Sequence, residues 1–234
     1  MARALQKHAA AISIDALLAD SSWFAHIDAA ARQQVRRDML ERTLAAGESL
    51  GRPGEAQHHW YGVLEGLLKW SVSAQDGRTV TLGGQSVGSW FGEGTLLRAL
   101  PRHADVVALR HSRVAMLPFE TFDWLRRSQP AFNEFLLLQI NERLHWFMGN
   151  FAARRLLDTD RLVARALVGL VHPLLNPRGE CRLAISQQEL ANLAAVSRQR
   201  CNQSLVAMQR AGLLQLAYGA IVVVDPQALQ RSAG

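Results

Sequence analysis

The sequence predicts an α+β chain in three successive parts: an antiparallel array of short strands, one long helix, and a helical block closed by a hairpin. Three observations lead there. Between about Ala46 and Pro118, glycines are frequent and short apolar runs alternate with turn residues. From Ala131 to about Leu157 the chain has no proline and a single glycine, Gly149, while Phe132, Leu136, Ile140, Leu144, Phe147 and Phe151 recur at steps of three or four. From Ser186 onward, two short helical patterns, each preceded by a serine cap, give way to two apolar runs around Tyr218-Gly219.

The first part begins before the strands. Residues up to about 45 are rich in Ala, Arg, Gln and Leu and read as helix-forming. In the strand region, "WYGVLEGLLKWSV" (60–72) and "TVTLGG" (79–84) flank Asp76-Gly77, a dipeptide suited to a tight hairpin turn. "ADVVAL" and "SRVAML" supply two more strands, and the whole reads as a small barrel or roll.

The long helix is expected to start at Pro130, with Ser128 as its cap. Its stripe fits either a helix packed on its own sheet or a dimerisation helix with a coiled-coil-like seam; a stripe of this length outruns a small roll and favours the seam. Leu136, Ile140, Leu144, Phe147 and Phe151 are the expected interface residues. A further helix is expected from Asp158 to Pro173, and Asn176, Pro177, Arg178 and Gly179 break the chain after it. The expected division is 1–130, 131–157 and 158–234.

The most specific motif is "ISQQELANLAAVSRQRCNQSLVAMQRAGLL" (185–214). Ser186 with Glu189 three residues on is a capping box. "AAVS" is a tight connection, and Ser197 caps a second helix on which Cys201, Leu205 and Met208 face inward. Arg198 and Asn202 form one outward pair, Gln199 and Gln203 the next. Two short helices, a brief turn and a polar N-terminal face make a helix-turn-helix, with "LLQLAYGAIVVVD" (213–225) as a hairpin wing. Arginine forks onto guanine and glutamine or asparagine onto adenine, so Arg198, Gln199, Asn202 and Gln203 are the candidate base readers. Ser186, Gln188, Ser197 and Arg200 are placed to touch phosphates. The bland alternative, a solvated helical hairpin, sits poorly with three arginines and no acidic residue between Arg198 and Arg210.

Bulk numbers agree without deciding. The chain has 234 residues, a formal charge of +6 and a pI of about 10.3, which suits a polyanionic partner. Lys7 and Lys69 are the only lysines, however, so an arginine bias of the genome would give the same charge. No apolar run approaches a membrane span and no basic-then-apolar leader opens the chain, so a cytoplasmic protein with no membrane partner is expected. The two cysteines, Cys181 and Cys201, form no metal-type pair and cannot alone hold an iron–sulfur cluster. His58 and His59 are neighbours on a strand and face opposite ways, and His145 reads as solvated, so no metal site is expected. No nucleophile elbow and no Gly-rich phosphate loop with its lysine are present, and nothing supports an enzyme.

With these residues in hand, the chain resembles the Crp/Fnr family of bacterial transcription regulators. The resemblance covers nearly the whole chain and is carried by "VLEGLLK" (63–69), "FGE" (91–93), "PRHA" (101–104) and "SRQRCNQSL" (197–205). It implies a roll like that of cyclic-nucleotide-binding domains, a homodimer along the long helix, winged domains on a palindromic double-stranded DNA site, and RNA polymerase as a further partner. In relatives that bind cyclic nucleotides, the residues matching Glu93 and Arg102 hold the ribose hydroxyl and the cyclic phosphate. Gly92, His103 and Ala104 complete the implied site, where backbone N–H groups beside Gly92 and Ala104 can form an anion nest. Two departures stand out. His103 replaces a small hydroxyl residue, and the long-helix positions that contact adenine fall near Phe147 and Met148, neither of which bonds a purine edge. No cofactor is certain. A cyclic nucleotide, another anionic ligand such as a dinucleotide, or a Glu93–Arg102 pair across an empty pocket all fit these residues. The second function class left open is a cyclic-nucleotide-binding module acting on a protein partner.

Overall fold

A computed structural model describes residues 11–172, 175 and 182–233. The N-terminal stretch, expected as helix to about residue 45, is three short helices, α1 (Ile14–Asp20), α2 (Ser22–His26) and α3 (Ala29–Asp38). Ser13 caps α1 by accepting from Ala16 N, and Asp28 caps α3 by accepting from Ala31 N. Helix stops earlier than composition suggests because residues 40–44 become β1 (Leu40–Leu44), paired along its length with β8 (Ser112–Pro118). Tertiary pairing overrides a weak local preference there.

The roll is two four-stranded antiparallel sheets, β1-β8-β3-β6 and β2-β7-β4-β5. Its remaining strands are β2 (Ser49–Gly51), β3 (His59–Glu65), β4 (Leu67–Ser73), β5 (Thr79–Ser86), β6 (Trp90–Phe91) and β7 (Asp105–Ala108). The apolar run 60–72 is thus two strands, parted by Gly66 at φ +89. A side chain there would strike Ser112 and the His111 carbonyl. Asp76-Gly77 closes the β4–β5 hairpin as expected, with Ser73 opposite Thr79. Inside, Trp60 stacks on Trp90 at 4.1 Å, and Trp23 meets Phe132 edge-on at 5.0 Å. Between β6 and β7 the chain inserts a short helix, α4 (Glu93–Arg98), so the stretch 91–105 is more than a turn.

After β8 come α5 (Phe119–Ser128) and the long α6 (Pro130–Leu156) of 27 residues. Ser128 does not cap α6. It is the last residue of α5, and its hydroxyl donates backward to Trp124 O at 2.8 Å; Gln129 stands at the N-cap and makes no side-chain capping bond, its amide being turned to Asp28 instead. The apolar stripe also divides. Phe132 and Leu136 are buried in the roll's own core, so Leu136, expected at a dimer seam, faces the interior of its own chain. The inward face continues through Gln139, Arg143 and Ala153. The outward face carries Leu137, Ile140, Leu144, Phe147, Met148 and Phe151, all exposed.

The C-terminal part has its own core. It holds α7 (Thr159–Leu170), β9 (Arg182–Leu183), α8 (Gln187–Ala194), α9 (Arg198–Arg210), β10 (Leu214–Ala217), β11 (Ala220–Val223) and α10 (Pro226–Ser232). Asp158 caps α7 by accepting from Arg161 N. The expected break at Asn176, Pro177, Arg178 and Gly179, and Cys181 with it, lies outside the described residues. Strands β10 and β11 form the hairpin around Tyr218-Gly219 and, with β9, a three-stranded sheet. The α+β class stands: an antiparallel roll first, a winged helix-turn-helix last. No helix among the described residues is long and apolar enough to cross a membrane.

Candidate nucleic-acid interface and ligand pocket

The helix-turn-helix is built by its caps. Ser186 Oγ accepts from Glu189 N at 3.2 Å while Glu189 Oε2 accepts from Ser186 N at 2.7 Å, the reciprocal pair that starts α8. Ala195 ends α8 in a left-handed conformation at φ 56, and Ser197 Oγ accepts from Arg200 N at 3.3 Å to start α9. Cys201, Leu205 and Met208 anchor α9 in the core, joined by Ser204, which donates to Asp160 Oδ1 at 2.5 Å. Burial pushes the Cys201 thiol up to about 11, so it is a packing residue and not a nucleophile.

Arg198, Gln199, Asn202 and Gln203 lie exposed together in one shallow depression. Gln187 shares it, and its Oε1 accepts from Asn202 Nδ2 at 3.0 Å. Sequence reasoning missed Gln187; its place directly after the Ser186 cap, on the helix edge nearest α9, was the available signal. Ser186, Gln188, Ser197 and Arg200 are also exposed around this face. Gln188 Nε2 donates to Asn192 Oδ1 at 3.1 Å, a weak exposed contact that a phosphate oxygen can replace.

The roll holds a cavity of about 280 Å³. Gly92, Glu93, Arg102, His103 and Ala104 all line it, with Gln57, Phe91, Ile140 and Phe147 among the other walls. Gly92 takes φ 98 at the start of α4, where a side chain would strike Gln57. Glu93 and Arg102, both buried, do not pair with each other. Glu93 Oε1 lies 3.1 Å from Arg143 Nε, and its Oε2 accepts from Trp60 Nε1 at 3.4 Å. Arg143 also donates to the Trp90 carbonyl, which accepts from Gln139 Nε2 at 2.7 Å as well, and its guanidinium sits 5.0 Å over the Trp70 ring. Arg102 donates to Tyr61 Oη at 2.8 Å, and its buried Nε has no hydrogen-bond partner among the described residues. Phe147 reaches the cavity; Met148 turns outward and is 60% exposed. The described residues hold no cluster of metal-ligating side chains, and His145 is exposed.

The two halves match two family models. Residues 41–129 match the cyclic nucleotide-binding domain, and residues 153–232 match the Crp-like helix-turn-helix domain. Together with full-length relatives, this defines a Crp-type transcription regulator. The chain belongs to the Crp/Fnr family. It is 23% identical over 223 residues to the CRP-like cAMP-activated global transcriptional regulator of Mycobacterium tuberculosis, covering 94% of this chain and 100% of that one. It is 27% identical over 207 residues to the transcriptional regulator LdrP of Thermus thermophilus, covering 82% and 96%. Among solved structures, FixK2 from Bradyrhizobium japonicum shares the fold at a TM-score of 0.69 and 14% identity, covering 84% of this chain and 98% of that one.

Proposed function

We propose that this regulator binds a palindromic double-stranded DNA site as a homodimer, with α9 in the major groove and a small anionic ligand in the roll as its control. The observation that carries this reading is the exposed N-terminal face of α9, where Arg198, Gln199, Asn202 and Gln203 stand together without an acidic neighbour on that helix. These four read bases; Ser186, Gln188, Ser197 and Arg200 hold phosphates.

The homodimer reading is supported by the unpartnered outer stripe of α6, Leu137, Ile140, Leu144, Phe147, Met148 and Phe151, too large an apolar surface to leave in water. Two-fold symmetry of the protein then requires a two-fold site on DNA. The parts 1–130, 131–157 and 158–234 act as sensor, coupling helix and DNA reader. RNA polymerase is the further partner of such a regulator, and the cytoplasm its compartment.

In the roll, the ligand's anionic part meets Arg102, whose buried Nε lacks an acceptor among the described residues. A module acting only on a protein partner has no use for the α9 face, which is why DNA is preferred. The test is a titration of labelled duplex at two salt concentrations. Binding that weakens steeply with salt and survives an excess of random-sequence competitor supports the reading. Absence of binding at low salt contradicts it. Cyclic AMP, cyclic GMP and cyclic di-GMP titrated against wild type and Arg102→Ala separately test the pocket.

A further inference from the structure

A second cleft lies away from the roll cavity, where the roll meets the DNA-binding part. It also encloses about 280 Å³. From the roll it takes the β3–β4 turn at Glu65, Gly66 and Leu67, the end of β5, and the β7–β8 turn with Arg110 and His111. From the C-terminal part it takes Arg182, Leu183 and Ala184.

The two parts are joined at this cleft. Leu67, a residue of the roll, is buried in the C-terminal core. Ser86 Oγ donates to Leu170 O at 3.2 Å, and Arg110 Nη2 lies 3.2 Å from Glu189 Oε2, the same oxygen that caps α8.

The charges here are unbalanced. Glu65 is engaged with His111 at 3.7 Å and Arg113 at 3.8 Å. Glu189 is shared between its cap and Arg110. Arg110 Nε and Arg182 Nη1 are both buried without an acceptor among the described residues. A buried guanidinium N–H with no acceptor bears the desolvation cost of the group with nothing in return, and two such groups at one cleft define a place where an oxyanion gains more than it would in water. Desolvation already pulls Arg110 below the ordinary guanidinium range. Apart from Ser86, the rest of the lining is apolar, chiefly Leu67, Val87 and Leu183. A bare inorganic ion would leave that apolar space empty.

We propose that this cleft is a second ligand site, taking a small organic anion whose carboxylate or phosphate head sits between Arg110 and Arg182 and whose apolar body lies on Leu67, Val87 and Leu183. One arginine comes from the sensor part and the other from the DNA-binding part, so the ligand bridges them. A ligand that requires both parts in this arrangement shifts the population toward it, independently of whatever occupies the roll cavity.

The test uses the full-length protein with phenyl phosphate and benzoate as probes, inorganic phosphate as the bare head, and benzyl alcohol as the uncharged body. The expected result is saturable calorimetric binding of the two aromatic anions, at least tenfold weaker binding of inorganic phosphate, and none of benzyl alcohol. Arg182→Gln weakens the aromatic anions at least tenfold, whereas Arg102→Ala, in the roll cavity, leaves them within twofold. On addition of phenyl phosphate, amide exchange slows both at residues 109–112 and at 182–185. Binding lost in Arg102→Ala but kept in Arg182→Gln places the ligand in the roll and overturns the proposal. So does exchange protection confined to one of the two segments, or no saturable binding at millimolar probe. Arg110→Gln, which also releases Glu189, serves as a second variant and must weaken the same probes. Because none of these readouts involves DNA, failure here leaves the DNA-binding reading untouched.

Discussion

Arg143 Nε lies 3.1 Å from Glu93 Oε1, with both side chains almost wholly buried, so the long helix grips the cavity-lining corner of the roll through a charge pair. The contact joins α6 to the start of α4 across 50 residues of sequence and places a cation where the cavity meets the helix. Arg143→Met leaves Glu93 as a buried carboxylate without its cation, a change that costs about 3–5 kcal/mol when such a pair is broken from one side. Urea unfolding is expected to show that loss. Adding Glu93→Gln to Arg143→Met is expected to recover most of it, and a double variant as unstable as the sum of the singles would show that the pair is not coupled.

The divided stripe of α6 makes two opposite predictions. Leu144→Glu with Phe147→Glu places charges on the outer face and is expected to yield monomers by light scattering without loss of helix content. Leu136→Ala, on the inner face, is expected to leave the mass unchanged but to cost about 2–5 kcal/mol of protomer stability. If Leu136→Ala dissociates the dimer while the charged pair does not, the faces are misassigned.

Acidification is expected to weaken the roll through His59. Burial, the first cause, and then the neighbouring His58 hold its pKa below the usual 6.5, against a smaller pull upward from Glu120. The folded state therefore binds fewer protons than the unfolded state below that value, and stability must rise with pH across that window. Going down, stability begins to fall near pH 6.5 and levels off once His59 is protonated in both states. His59→Asn is expected to flatten this part of a stability-versus-pH curve. An unchanged slope would assign the effect to another group, of which His172, also lowered by burial, is the first to examine.

The capping box offers a local test. Ser186→Ala removes the acceptor for Glu189 N and is expected to cost about 0.5–2 kcal/mol. Thermal unfolding followed by circular dichroism reads the change. No shift would mean that the reciprocal bond from Ser186 N to Glu189 carries the helix start alone.

What the sequence revealed and what it hid divide along one physical line. The Asp76-Gly77 hairpin, the Ser186–Glu189 box and the Ser197 cap are chemistry between residues two to four apart, and each stands where the pattern put it. Apart from Ser128, whose competing acceptor sits only four residues back, the misses are long-range. Ser128 looked like a cap until the preceding helix claimed its hydroxyl. Leu136 shares a period with Leu144, but the helix meets its own roll first and leaves it later, and periodicity does not say which partner a face meets. Glu93 and Arg102 lie nine residues apart and invited a pairing, yet each found a partner elsewhere, Arg143 and Tyr61. No local pattern marks Arg143, because its role depends on where α6 crosses the roll.

The most direct test of the central claim compares Arg198→Ala with Arg200→Ala on a randomised duplex library at two salt concentrations. Both residues lie in the first turn of α9, and only the first is assigned to bases. Arg198→Ala is expected to lose roughly 1–3 kcal/mol at the specific site and to relax base preference there, keeping the salt slope. Arg200→Ala is expected to weaken all sequences alike and to flatten the salt dependence. Indistinguishable specificity profiles for the two variants, or a wild-type protein that selects no sequence from the library, would contradict the account.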